Sequence, residues 1–233
     1  MRIDIWSDIV CPFCYVGKRN LEQALAEFEH RDEVEVVWHS FELDPSATEH
    51  PAGSLPELIA DKYQMPLEQA IASQESLAER AREVGLDFNW RQARYGNTFD
   101  AHRVIHYATE QGLASAAQEA FKLAYFTQGR SVQDHESILD IASEIGLDTA
   151  EVEAVLKSDR YAADVRADEQ LARQLGINGV PFFLFESKWA VSGAQPAKML
   201  VQALRQVWEE THRVEFLNPL AGATGDAAGD GAA

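Results

Sequence analysis

The sequence predicts an α/β protein in which a β-α-β unit and a β-β-α unit flank a wholly helical block. Three observations carry this expectation. Short apolar, β-branched runs fall toward the two ends, at residues 3–10 and 34–41 and again at 181–185 and 189–192. Between them, helix-length segments alternate with Gly, Pro and Asp punctuation over roughly half the chain. Pro12, directly after the first run, suits the first turn of a helix, where its missing N–H is no loss.

Each element follows in order. Ile3 to Val10 reads as a buried strand, and a helix beginning at Cys11-Pro12 places Leu21, Leu25 and Phe28 on one face. Val34 to Phe41 is the second strand. Leu67, Ile71, Leu77, Ala81 and Val84 mark a helix stopped by Gly85. Further helices run from Phe99 to Glu110, closed by Gly112, and from Leu113 to Gln128, ended by Gly129. Asp134 is placed to cap a helix carrying Ile138, Leu139, Ile141, Ala142 and Ile145, which Gly146 ends. Asp148, with Glu151 three residues later, caps the next. A last helix of the block carries Val165, Leu171 and Leu175 before Gly176. Two short strands a hairpin apart follow, Pro181–Phe185 and Trp189–Ser192. A closing helix, Met199 to Trp208, has Leu200, Leu204, Val207 and Trp208 as its apolar face. The expected division is 1–54 and 176–218 for the α/β domain, 55–175 for a helical insertion and 219–233 for a flexible tail.

Composition narrows the function classes. A chain of 233 residues with 46% hydrophobic and 25% charged residues has enough apolar content for a packed core. Its net charge of −18 repels phosphate backbones and anionic lipid, so neither nucleic acid nor a membrane surface is an expected partner. No apolar stretch approaches the ~20 residues needed to cross a bilayer. The N-terminus lacks a basic region followed by an apolar run and a cleavage site, so a cytoplasmic location is expected. In such a reducing compartment, two cysteines two residues apart point to catalysis or metal binding rather than a staple.

Cys11-Pro12-Phe13-Cys14 is the motif that carries chemistry. A thiolate is the nucleophile, and a helix N-terminus, with its unpaired N–H groups and positive dipole end, stabilises one at Cys11. Cys14, one turn later on the same face, can resolve a mixed disulfide formed by Cys11. Phe13 adds no charge, which predicts a less extreme thiolate than a histidine there would give. Asp4 and Asp8 are either proton relays to Cys14 or ordinary carboxylates. The pair could also be half of a zinc site, with His102 and His106 one helical turn apart, or two buried small hydrophobes. Pro181 opens the returning β half. It needs either a trans bond at a strand start or a cis Val180–Pro181 bond that turns the backbone of Val180 toward a bound peptide or cofactor.

Taken together, several segments resemble the DsbA-like branch of the thioredoxin superfamily, and more narrowly its FrnE-like subgroup. They are Ser7-Asp8-Ile9-Val10-Cys11-Pro12-Phe13-Cys14-Tyr15-Val16-Gly17, Ser40-Phe41-Glu42-Leu43, Asn97 with Ala101-His102-Arg103, Gly179-Val180-Pro181-Phe182-Phe183 and Ser192-Gly193-Ala194-Gln195. The resemblance implies a thioredoxin-like fold interrupted by an all-helical insertion, with a cis Pro181 facing the CxxC. It implies a protein-disulfide oxidoreductase or isomerase in which Cys11 and Cys14 are catalytic. Pro12, Phe13, Val180, Pro181, Asn97 and His102 are the expected substrate contacts, with Asn97 and His102 alternatively a helix start and an interface residue. No metal or cofactor is expected beyond the redox-active disulfide, with glutathione as a reductant or ligand. The expected partners are thiol or disulfide proteins, peptides or low-molecular-weight thiols, and an external redox partner. The same architecture is shared by 2-hydroxychromene-2-carboxylate isomerase and kappa-class glutathione transferases. Those typically carry serine where Cys11 stands, so a glutathione-dependent transferase or isomerase is the alternative, followed by a non-catalytic zinc-binding module.

Overall fold

The computed structural model describes residues 1–48 and 52–212, so the expected tail at 219–233 lies outside the described residues. The order is β1 (Arg2–Ser7), α1 (Pro12–Glu27), β2 (Glu35–Ser40), α2 (Leu55–Tyr63), α3 (Leu67–Glu83), α4 (Phe99–Glu110), α5 (Ala114–Phe126), α6 (His135–Glu144), α7 (Thr149–Leu156), α8 (Ala162–Gln174), β3 (Phe182–Phe185), β4 (Trp189–Ser192) and α9 (Ala197–Thr211). The strands form one mixed sheet in the order β2-β1-β3-β4. β1 is parallel to β2 and antiparallel to β3, and β3 is antiparallel to β4. This is the thioredoxin-like fold, with α2 to α8 entering between β2 and β3.

β1 is central, and its alternation sets up two different faces. Ile3 and Ile5 join Leu21 and Ala24 of α1, Phe28 just beyond it, Phe183 and Phe185 of β3, and Leu200 and Leu204 of α9 in one apolar cluster. Asp4 and Trp6 point the other way, toward α8. There Trp6 packs with Ala172 and Ile177 and donates its indole N–H to the Asp168 carbonyl at 3.2 Å. A larger cluster holds the helices together through Val104, Ile105, Phe121, Tyr125, Ile138 and Ile141. It also takes in Ile9, Val10, Tyr15 and Val16 from the start of the chain. Helix α1 is therefore enclosed from both sides, with Tyr15 lying 6.0 Å from the ring of Phe88 and 5.9 Å from that of Phe126.

Two expectations are corrected. β1 stops at Ser7 rather than Val10. The Asp8 carboxylate accepts from the Ile9 N–H at 2.7 Å and the Leu43 N–H at 2.8 Å, which turns the chain out of the sheet before the helix. In α8 the buried positions include Val165, Glu169 and Ala172, whereas Leu171 and Leu175 are exposed by 39% and 47%. That helix faces a polar part of the sheet, so its inward stripe carries acids.

The polar part is a chain of ion pairs. His39 of β2 stacks 4.4 Å from the Trp6 ring, its Nε2 2.8 Å from Asp4 Oδ1 and its Nδ1 2.6 Å from Asp168 Oδ1. His106 of α4 approaches Asp168 Oδ2 at 3.2 Å, and the Ser40 N–H donates to that oxygen at 2.8 Å. Burial pushes the Asp168 carboxyl up, but the hydrogen bonds from His106 and His39 outweigh it and hold it down at about 2. Burial opposes a charge on His39, and its bonds to Asp168 and Asp4 more than offset this, so its pKa is raised.

The linkage follows from those directions. Asp168 contributes stability that is complete above its unfolded value of 3.8 and is lost as pH falls toward about 2. His39 contributes stability that is complete below its unfolded value of 6.5 and is lost as pH rises through its raised folded value. Asp168→Asn is expected to lower stability near neutral pH by about 3 kcal/mol and to flatten the acid-side loss between about pH 4 and pH 2. Urea midpoints measured across that range check this; a variant with an unchanged acid slope would refute it.

Candidate active site

The turn made by Asp8 delivers two cysteines to the start of α1. Cys11 is the N-cap residue, with extended φ −86° and ψ 113°, and Pro12 occupies the first turn. The Cys14 N–H donates to the Cys11 carbonyl at 3.1 Å, closing the first turn and stacking Cys14 under Cys11. Both are free thiols and almost wholly enclosed, 3% and 1% exposed. The Cys11 thiol donates to the Val180 carbonyl at 3.5 Å. The Val180–Pro181 peptide is cis, and the Pro181 carbonyl accepts from the Gly193 N–H at 2.8 Å, which ties this loop to the end of β4.

Gly17 sets how closely α1 meets that loop. A Cβ there would stand 2.8 Å from Pro181 Cγ and 3.4 Å from Phe183 Cζ, so only glycine permits the contact. Asn20, one turn on, donates to the Gln195 carbonyl at 2.9 Å and fixes the other end of the same approach.

The two thiols titrate as one unit. Cys11 is raised well above the ordinary thiol value, first by its hydrogen bond to Cys14 and then by burial. Burial also pushes Cys14 up, but the bond from Cys11, the Lys122 ammonium and the Asp8 backbone outweigh it, so Cys14 falls below the ordinary value. The Ser7 hydroxyl, which has no other partner, faces the same sulfur. The two shifts oppose each other across one pair, so the charge of the dithiol is set jointly by elements that act on both sulfurs. The terminal N–H groups do favour a Cys11 anion, but burial and the neighbouring sulfur oppose it more strongly.

The other expected residues separate into two groups. Pro12, Phe13, Val180 and Pro181 surround Cys11; Phe13 is 38% exposed, and the Arg80 guanidinium lies over its ring at 5.5 Å. Asn97 and His102 instead take their alternative roles, at the start of α4 and in the interface with Asp8. His102 is 0% exposed, with Nε2 3.2 Å from Asp8 Oδ1, so its ring meets the carboxylate and presents no surface to a substrate. The Asn97 side chain accepts from the Phe99 N–H at 2.8 Å, starting α4, and its amide reaches Glu42 at 3.4 Å. Asp8 is held below the ordinary carboxylate range. Burial opposes this, but the His102 hydrogen bond and charge, with the Leu43 N–H, prevail. Asp4 is turned away into the His39 network. His102 and His106 do not converge on one point, because His106 bonds Ser40 at 3.1 Å and Asp168 at 3.2 Å. Among the described residues no group of three or more His, Cys, Asp or Glu could hold a metal.

Sequence reasoning missed Lys122, Gly17 as a contact point, and the pairing of Glu42 with Arg166 at 2.5 Å. The one local signal for Lys122 is its place four residues after Gln118 and three before Tyr125, on a helix stripe that is otherwise buried.

A strand-to-helix CxxC facing a cis-proline loop on a four-stranded mixed sheet defines a protein of the thioredoxin-like fold class. The chain belongs to the DSBA-like thioredoxin domain family, whose model matches residues 2–205, and so to the DsbA-like thiol–disulfide oxidoreductases. It is similar to a probable DsbA oxidoreductase of Streptomyces coelicolor, with 48% identity, 90% of this chain and 91% of that one covered, and a TM-score of 0.86. The uncharacterized protein YwbO of Bacillus subtilis is 29% identical over 186 residues, 79% of this chain and 86% of its own. In fold it also matches the cytosolic disulfide reductase DsbM of Pseudomonas aeruginosa solved with GSH, at 19% identity, 88% and 100% coverage and a TM-score of 0.62.

Gly17→Ala is expected to push the Pro181 loop off α1, costing about 1–3 kcal/mol and exposing Cys11. Urea denaturation and the rate of iodoacetamide labelling at Cys11 read the two effects. An unchanged labelling rate would show that the approach at Gly17 does not control access.

Proposed function

We propose that the protein carries out dithiol–disulfide exchange through Cys11 and Cys14, with Cys11 attacking and Cys14 resolving. The observation that supports this most directly is the arrangement at Cys11. Its thiol donates to the Val180 carbonyl of the cis-proline loop, beside exposed Phe13, with Cys14 one helical turn on. As a disulfide substrate approaches, Cys11 loses its proton to solvent. The Cys11 thiolate then attacks one sulfur of the substrate, forming a Cys11–substrate bond, and the other substrate sulfur leaves as a thiolate and takes up the Cys14 proton. Cys14, now a thiolate, attacks Cys11, and the second substrate thiolate departs. One substrate disulfide has gained two electrons and one Cys11–Cys14 disulfide has formed.

Pro12, Phe13, Val180 and Pro181 form the substrate edge. The expected extended segment is a peptide or a small thiol compound, and disulfide isomerisation follows when Cys11 is displaced by a second substrate thiol before Cys14 acts. Glutathione, or another low-molecular-weight thiol or external redox protein, returns the pair to the dithiol. The DsbM neighbour solved with GSH supports glutathione in that role, as does the absence from this chain of a third cysteine that could act instead. A cytoplasmic location and membership of the FrnE-like subgroup belong to the same reading, as does the division into 1–54 with 176–218 and 55–175. No helix among the described residues is long and apolar enough to cross a membrane.

Cys11→Ser is expected to abolish reduction of insulin disulfides, and Cys14→Ser to trap a mixed disulfide on Cys11 visible by intact mass. Undiminished insulin reduction by Cys11→Ser would sink the assignment. Saturable glutathione binding, with turnover of an electrophile or chromene that survives alkylation of both thiols, would favour the transferase alternative.

A further inference from the structure

Phe13, one of the two residues between the cysteines, lies under a guanidinium from another element. Arg80 of α3 is exposed and stands over the Phe13 ring, 5.5 Å from its centre. Its backbone is fixed by small neighbours. Ala78 and Ala81, on either side of it in α3, are buried in the cluster that also takes in Val10, Tyr15 and Val16, which flank the CxxC. Small side chains at those positions bring α3 close to the start of α1 and leave the long Arg80 side chain to reach Phe13.

Arg80 has an acid in reach on its own helix. Glu83 stands three residues on, the spacing at which Asp100 and Arg103 pair in α4 at 2.7 Å. Among the described residues Arg80 nevertheless makes no ion pair with a carboxylate, and its partner is the ring of Phe13. A guanidinium on an aromatic face keeps N–H groups free for a planar anion, and a bidentate bond to a carboxylate is stronger than the ring contact.

The placement matters most to anions. The chain carries 38 acidic and 20 basic residues, so its field repels an approaching carboxylate, and a local cation must offset this. Backbone of at most ~7 Å separates Cys11 from Phe13, and an extended tripeptide spans at most ~11 Å. A short peptide thiol joined to Cys11 through its sulfur therefore has the length to set a carboxylate on Arg80.

We propose that Arg80 is a specificity-determining residue that binds a carboxylate of small peptidic thiols and disulfides of the glutathione class while their sulfur reacts at Cys11. The proposal rests on the exchange reading above and deepens it by naming the substrates the site prefers. With oxidised glutathione, the Cys11 thiolate forms a bond to one glutathione sulfur, and the other leaves as a thiolate with the electron pair of the broken disulfide. Cys14 then bonds to Cys11 and the second glutathione thiolate departs. Two electrons have passed from the dithiol to glutathione, and the two thiol protons go to the departing thiolates or to solvent. Arg80 takes no part in these bond changes; it holds the anion in place while they occur.

The test is the rate at which three small disulfides oxidise the reduced protein, read by intact mass after acid quench and alkylation. They are oxidised glutathione, neutral 2-hydroxyethyl disulfide and cationic cystamine. Arg80→Met is expected to lower the second-order rate with oxidised glutathione about tenfold and to leave that with 2-hydroxyethyl disulfide within about twofold. Its rate with cystamine should not fall. Arg82→Met removes the same charge from the same helix and is expected to alter none of the three by more than about twofold. An unchanged glutathione rate in Arg80→Met, an equal loss with all three disulfides, or an equal glutathione loss in Arg82→Met overturns the role of Arg80 and leaves the exchange reading intact. An unaltered protein that none of the three oxidises overturns the exchange reading itself. Should Arg80→Met not fold, the unaltered protein decides the matter with oxidised glutathione esterified at its carboxylates. A slower reaction than with oxidised glutathione is expected, and an equal or faster one refutes the proposal.

Discussion

The arrangement of this molecule depends on one buried carboxylate. Asp8 is 1% exposed, and an anion in that position must be answered on both oxygens. One oxygen takes the Ile9 N–H and His102, and the other takes the Leu43 N–H. Those three partners come from the turn after β1, from α4 and from the segment after β2. Satisfying the charge therefore ends the central strand, positions Cys11 at the next helix and ties the sheet to the helical layer in a single act. No apolar contact could do the same, because apolar packing tolerates sliding and three hydrogen bonds to one carboxylate do not.

The same economy explains the uneven face between the sheet and α8. His39 is shared by Asp4 and Asp168, and Arg166 by Glu42 and Glu169. Each acid that α8 turns inward has a cation waiting, which is why Glu169 is buried while Leu171 and Leu175 of the same helix face outward. On the opposite face the sheet meets α1 and α9 through Ile3, Ile5, Phe183 and Leu204, and nothing charged is needed. The sheet thus has an oily side that supplies stability and a charged side that selects one register for the helices above it.

Much of this was legible locally. Phe99 to Glu110 and Trp189 to Ser192 were bounded correctly because Gly112 and the hairpin residues punctuate them, and Asp148 caps α7 through the Ala150 and Glu151 N–H groups as its spacing implied. The CxxC and its proline were readable because their meaning lies in adjacent residues. The overrun of β1 to Val10 has the opposite cause: Ile9 and Val10 are as apolar as the strand, and the Leu43 N–H that bends the chain away lies 35 residues from Asp8. Lys122 was opaque for the same reason, and the interface reading of His102 did not extend to Asp8 as its partner. A single sequence carries no record of which buried polar residues meet.

The charge on the thiol pair shows where such non-local terms decide chemistry. A helix N-terminus acts on Cys11 through groups only a residue or two away, so sequence alone suggests a Cys11 thiolate. The structure adds a second sulfur, complete burial, the Asp8 carboxylate and the Lys122 ammonium, and each of these acts on the pair from outside the motif. Two sources thus act on the pair: the first turn of α1, and the groups that the turn after β1 and the helical layer bring against it. Attack needs charge on the outer sulfur and resolution needs it on the inner one. A fold that acts on the pair from several elements can change its poise through the helical layer while its CxxC, and the proline loop that faces it, stay as they are.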